Sequence, residues 1–181
     1  MDPNNKSDLQ KAAENEEEIL DLLDISGNVI GTVRRAEVHG NPSLRHRAVH
    51  VFVMNRLGDY YLQKRSPYKR IQPDKWDTSV GGHIPSGETY EQGALRELEE
   101  ELGIALADPT RLVKHHDFVW STDFETEHTR TFLLVHEGPF HLNAAEVSNG
   151  RFWTADELRE SFGQGVFTPN LELELRRLEI C

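Results

Sequence analysis

An α/β sandwich built on a mixed β-sheet is the fold this sequence predicts. Three observations carry that prediction. Short apolar runs with strand-like alternation recur along the chain, an amphipathic helix interrupts them in the middle, and two shorter helical patterns follow near the C-terminus. At 181 residues the chain suits one domain with a substantial apolar core. Residues 1–16 are polar and acidic and are expected to form a flexible or weakly helical tail, with 17–181 as a single domain.

The elements follow in order. Ile19 to Asp24 and Val29 to Val33 read as short strands around the turn Ser26-Gly27-Asn28. Arg47 to Asn55 alternates, with Val49, Val51 and Val53 on one face. Leu57-Gly58-Asp59 turns the chain into a partner strand, Tyr60 to Lys64. Ser66 to Lys75, with its prolines and basic residues, reads as a loop, and Trp76 to Val80 as another strand. Thr89 to Leu102 is the clearest helix. Leu112 to Trp120 and Thr129 to His136 form an expected antiparallel pair joined by an acidic loop, and Phe152-Trp153 ends a last strand. Thr154 is placed to N-cap a helix through Ser161, with Glu157 completing a capping box. Thr168-Pro169 opens a C-terminal helix with proline at its favoured first position.

Composition excludes several function classes. A net charge of −11 gives no general attraction for nucleic acid or anionic lipid, while leaving room for a small anionic ligand at a local basic patch or a metal. No apolar run is long enough to span a membrane, and the N-terminus has no apolar leader core. The single cysteine, Cys181, argues against an internal disulfide and a cysteine-based zinc site. The expected compartment is the cytoplasm; the oligomeric state is open.

The central helix carries the chemistry. Glu97, Glu100 and Glu101 share one helical face, whereas Leu95, Leu98 and Leu102 share another that can enter the core. Gly103 suits a left-handed C-cap. Three carboxylates on one face repel each other and oppose the helix dipole, each effect costing about 0.3–1 kcal/mol. A hard divalent cation, Mg²⁺ or Mn²⁺, reverses both penalties and leaves positions for water and substrate phosphates. The bland alternative is a solvated acidic face.

The preceding loop decides between the two. From Gly82 the chain reads glycine, five residues, Glu88, seven residues, then Arg96-Glu97-Leu98-x-Glu100-Glu101-x-Gly103-Ile104. This resembles the Nudix signature at every specified position. The resemblance implies a Nudix-type α/β/α sandwich and an Mg²⁺-dependent hydrolase that cleaves a diphosphate linkage in a small substrate. It also implies metal ligation by Glu97, Glu100 and Glu101 with help from the Gly82 carbonyl, and a structural Glu88–Arg96 pair. The general base stays open among Glu100, Glu101, Glu127 and Glu146.

From about Ile19 to Trp153 the chain also resembles, more weakly, the isopentenyl-diphosphate isomerase branch of that superfamily. His39, His46, His83, Glu125 and Glu127 match the residues that hold a divalent metal there, which implies a possible second metal site. Arg65 and Lys69 match basic residues that hold the substrate diphosphate. The alternatives are histidines that merely hydrogen-bond a loop and a solvated charge run. One departure separates the chain from the isomerases. Their pattern has a cysteine immediately before the Gly-His pair, where this sequence has Gly81. Glycine has no proton to exchange with carbon. The expected function is therefore hydrolysis of a nucleotide-type or related diphosphate. Trp120, Phe124 and Tyr61 are candidates for a stacking surface. The rivals are an isomerase, a non-catalytic ligand sensor, and an mRNA-decapping role that the acidic charge opposes.

Overall fold

The computed structural model describes residues 15–181, so the expected N-terminal tail lies almost wholly outside the described residues. Residues 15–18 already belong to the fold, since the Ala36 amide donates to the Glu16 carbonyl and the Glu18 amide to that of Asn15.

Among the described residues nine strands form one mixed sheet: β1 Ile19–Leu23, β2 Val29–Arg34, β3 Arg45–Met54, β4 Tyr60–Arg65, β5 Trp76–Asp77, β6 Val80–His83, β7 Val113–Ser121, β8 Thr126–Val135 and β9 Val147–Trp153. The helices are α1 Arg35–Val38, α2 Tyr90–Leu102, α3 Ala155–Ser161 and α4 Pro169–Arg177. A 3₁₀ turn, Pro109–Arg111, leads into β7. Helix α2 covers one face of the sheet, packing Ala94, Leu98 and Leu102 on Val49, Val51, Val53, Val80 and Ile84. Helices α3 and α4 cover the other, packing Leu158, Leu171 and Leu175 on Phe52, Leu62 and Trp153.

Strand β3 is the spine. It pairs in parallel with β8 along its whole length, Arg45 opposite Thr126 through Met54 opposite Val135. Because layers cover both of its faces, Ala48, His50 and Phe52 are as buried as Val49, Val51 and Val53. The alternation that reads as half-buried in sequence is instead two different buried faces, as expected for a parallel pair inside a sandwich.

Along its other edge β3 has three partners, beginning with β1, which places Leu23 opposite Arg45. Its middle pairs with β6, Ala48 to Val51 opposite His83 to Val80. Its end pairs with β4, Val53 opposite Tyr61 and Met54 opposite Tyr60. The sheet forks there. The expected single strand Trp76 to Val80 breaks at the fork, because β5 pairs with β4 while β6 pairs with β3. Ser79 sits between them, its hydroxyl accepting from the Val53 amide at 2.7 Å and donating to the Tyr61 carbonyl. One side chain thus satisfies a backbone donor and a backbone acceptor at the point where the ladder opens.

Candidate active site

Helix α2 is capped at both ends. Thr89 and Gln92 form a capping box, and Gly103 adopts a left-handed conformation (φ 67°) that receives the chain at the C-terminus. Leu98 and Leu102 are fully buried, which rotates Glu97 and Glu101 beneath the sheet. The Glu97 carboxylate lies so close under Gly82 that a Cβ there would overlap it. The glycine is therefore required by close approach rather than by its backbone angles.

Glu101 reaches into the fork. Its carboxylate accepts from Gln63 Nε2 on β4 at 3.0 Å and from the Gly81 amide on β6 at 3.4 Å. Burial, together with the Glu97 charge, pushes Glu101 well above the usual carboxylate range; Glu97 is itself pushed up to about 7 by burial. Two adjacent carboxylates held this way suit a cation that stabilises their charged forms. Glu100 lies apart: its side chain is 56% exposed and 3.2 Å from Arg96. Arg96 braces the whole turn, donating to Glu97 at 2.8 Å, to Glu88 at 3.3 Å and to the His83 carbonyl at 3.1 Å.

On the opposite face of β3 the histidines and glutamates of the second constellation converge. Ligand atoms of His46, His83, Glu125 and Glu127 all lie within 4.8 Å of one another. The parallel β3–β8 register sets His46 opposite Glu127, and the β3–β6 register sets His83 opposite Ala48. His39, just after α1, completes the group, with Nε2 3.6 Å from Glu125. His83 Nε2 lies 3.2 Å from Glu127 and His46 Nε2 3.7 Å. His46 turns Nδ1 to the Leu44 carbonyl at 3.3 Å, while its buried Nε2, aimed into the cluster, has no hydrogen-bond partner among the described residues. A ligating imidazole is commonly oriented in this way. Burial lowers His39 to about 4 and His83 to about 3, so both rings are neutral at neutral pH, the form that binds a metal. Burial opposes charge on Glu127, but its contacts with His46 and His83 hold it well below the usual range; burial and the neighbouring Glu127 raise Glu125 to about 7. Nitrogen and oxygen donors together fit Mn²⁺, Zn²⁺ or Fe²⁺.

A cavity of about 650 Å³ opens over this face, lined in part by His83, Glu125, Glu127, Gly81 and Gly82. Arg65 and Lys69 both line it. Arg65 is held by Asp77 at 3.0 Å and the Ile71 carbonyl at 3.2 Å, and Lys69 pairs with Glu146. Trp120, near the end of β7, and Phe124, in the β7–β8 loop, also line the cavity, with Phe124 stacked on His39 at a centroid distance of 5.4 Å. Tyr61 does not belong to this surface. It is buried on the α2 side and stacks on Phe140 at 3.9 Å, because its partner Phe152 on β9 and the valines of β3 claim that face as core.

Several residues of the site carry no motif. Arg35 of α1 lines the cavity and pairs with Glu18 at 3.3 Å. His50 lines the cavity floor and pairs with the fully buried Glu174 of α4. A carboxylate at Glu174, on the face that carries Leu171 and Leu175, is the one sequence signal for the second pair: a buried charge needs a partner.

A mixed sheet clasped between helices, with a loop–helix turn carrying buried glutamates below a basic-walled cavity, matches a known architecture. The chain belongs to the Nudix family: the NUDIX domain profile matches residues 44–171. An uncharacterised Nudix hydrolase of Nostoc is 48% identical over 49% of this chain and 53% of that protein, so this match spans about half of the relative. An isopentenyl-diphosphate Δ-isomerase of Streptomyces avermitilis is 31% identical over 83% of this chain and 78% of that one. The crystal structure of DR0079 from Deinococcus radiodurans superimposes with a TM-score of 0.73 at 29% identity, covering 88% of this chain and 98% of the other. The chain is thus a Nudix hydrolase by family, and Nudix hydrolases generally use divalent metals. None of the helices among the described residues is long and apolar enough to cross a membrane.

Proposed function

We propose that this protein hydrolyses a diphosphate linkage in a small nucleotide-type or related diphosphate, with Mg²⁺ or Mn²⁺ at Glu97, Glu100, Glu101 and the Gly82 carbonyl. The observation that carries the reading is Glu101, which passes through the fork and is held by Gln63 and Gly81, both of which line the substrate-sized cavity. A bound divalent ion would neutralise phosphate charge and lower the pKa of a water. The chain's own residues supply the rest. Arg65 and Lys69 bind the diphosphate, Arg65 being fixed in direction by Asp77. Arg96 orients Glu97, and Glu101 is the favoured base because it alone of the box glutamates contacts both arms of the fork. His39, His46, His83, Glu125 and Glu127 form a second divalent site in this reading, supported by the unpartnered His46 Nε2. In this reading Glu127 serves the second ion, where its contacts with His46 and His83 favour its charged form. Trp120 and Phe124 favour a nucleobase or another flat group against their side of the cavity.

The isomerase reading has one observation in its favour, the His/Glu cluster, and one against it. At Gly81 a side chain would meet His50 Cδ2 at 3.1 Å, so the place of the isomerase cysteine is crowded by an imidazole. A panel of nucleoside and isoprenoid diphosphates, assayed for phosphate or monophosphate release with Mg²⁺, Mn²⁺ or chelator, tests the proposal. Metal-dependent release from at least one member is expected; no release from any member would refute it.

A further inference from the structure

Outside the two glutamate sets, the described residues hold another buried charged group that faces the cavity, and neither the Nudix box nor the isomerase pattern includes it. His50 is only 5% exposed, yet it lines the cavity floor. Its Nδ1 is bonded to Glu174, a carboxylate with no exposure at all, 124 residues away in sequence. Glu174 is held in turn by the Thr131 hydroxyl at 2.7 Å, and His116 Nε2 lies 3.5 Å from it. Strand β8 places Thr131 opposite His50, so one register builds both the metal-ligand row and this pair. Among the described residues nothing bonds His50 Nε2, and the ring edge beside it packs against Gly81, where the absence of a side chain keeps the imidazole open to the cavity.

We propose that His50, oriented by Glu174, is a substrate-contacting hydrogen-bond donor that receives a phosphate oxygen of the diphosphate at the end of the cavity away from the His/Glu cluster. This assignment rests on the diphosphate reading above. Four features support it. Fixing Nδ1 on a carboxylate leaves Nε2–H as the outward donor of the charged ring. Burial disfavours that charge, but Glu174 overrides it and lifts His50 to about 9; Asp77 and Glu127, further off, act in the same sense. Along β3, His50 lies two residues beyond the position opposite His83, a step of ~7 Å that the phosphates of one diphosphate can bridge. The N-terminal residues of α4, Thr168, Pro169 and Asn170, line the same cavity, and their helix end adds partial positive charge.

A purely structural ion pair is the competing account, and it makes different predictions for binding. The probe is imidodiphosphate, which the enzyme should not cleave, titrated with Mg²⁺ into the full-length protein labelled with ¹⁵N-histidine. The variants are E174Q, which keeps the volume but removes the charge that orients and protonates His50, and the double variant H50L/E174L. Replacing both partners of a buried pair by apolar groups commonly preserves folding, and melting curves check that it does. The His50 Nε2 resonance should move on titration, and affinity should fall at least tenfold in the double variant and severalfold in E174Q. A static His50 resonance, wild-type affinity within twofold in a folded H50L/E174L, or no binding by the wild type would overturn the proposal. If the wild type binds through His50 but cleaves no diphosphate, the contact stands and the hydrolase substrate reading fails. If it cleaves one while the double variant binds normally, the reverse holds.

Discussion

In the proposed mechanism Glu101 is the residue on which the chemistry turns. It is buried, shares its charge burden with Glu97, and touches both arms of the fork. Glu101→Gln should lower turnover by at least ~100-fold, the scale of a major electrostatic contribution. Without metal the same variant should melt at or above the wild-type temperature, because a buried like-charge interaction is gone. Turnover near wild type, measured with a substrate found in the panel, would remove Glu101 from the mechanism. His50 gives a second test at this scale, through pH. Its pKa rises from the ordinary 6.5 to about 9 in the folded chain, so the folded state holds this proton more tightly than the unfolded state. That stabilisation is complete below pH 6.5 and is lost as pH rises through 9. The stability of the wild type relative to H50L/E174L should therefore decline across that window in chemical denaturation. A constant difference would show that the pair does not titrate as described. Glu174, on the leucine face of its helix, signals a buried charge in need of a partner, but the pairing itself is not legible, since a histidine in a strand and a glutamate in a helix 124 residues apart announce no contact.

Among the elements, the loop–helix from Gly82 to Ile104 was legible almost completely, because its caps, its leucine face and its glutamate face are all local periodicities. Gly82 adds a steric requirement that no periodicity reveals, since Glu97 fills the space where its Cβ would be. Gly82→Ala should cut kcat by at least ~10-fold with the helix intact, because a shift of ~1 Å in a catalytic array can cost ~100-fold. Circular dichroism together with steady-state kinetics would check it, and unaltered kcat would mean that Glu97 can move without consequence. The strand expected over Trp76 to Val80 was misread for a clear reason. Its break at Thr78–Ser79 comes from a change of partner strand, and partner identity is not encoded in local alternation. A different reason hid α1: four residues are too short for a periodic pattern, although the segment supplies Arg35 to the cavity and ends at His39.

At the scale of the molecule, the α/β sandwich was legible from the order of strands and helices, while the parallel β3–β8 pairing was not. That pairing matters most to the site. It lines His46, Ala48 and His50 up with Glu127, Thr129 and Thr131 on one face, while the box glutamates approach from the other face through the fork. The fold thus sets a complete Nudix helix behind the fork, bonded through Glu101 to Gln63 and Gly81 of the cavity wall, and a histidine–glutamate cluster on the cavity side, with His50 crowding the isomerase cysteine position. Hydrolysis without isomerisation is the central claim of the proposed function. The most direct measurement is a ³¹P and ¹H NMR time course in H₂¹⁸O, with Mg²⁺, of the wild-type protein given a nucleoside diphosphate and, separately, isopentenyl diphosphate. The account predicts ¹⁸O-labelled phosphate from a diphosphate substrate and no dimethylallyl diphosphate above background. Efficient formation of dimethylallyl diphosphate, with no ¹⁸O entering any phosphate product, would contradict it.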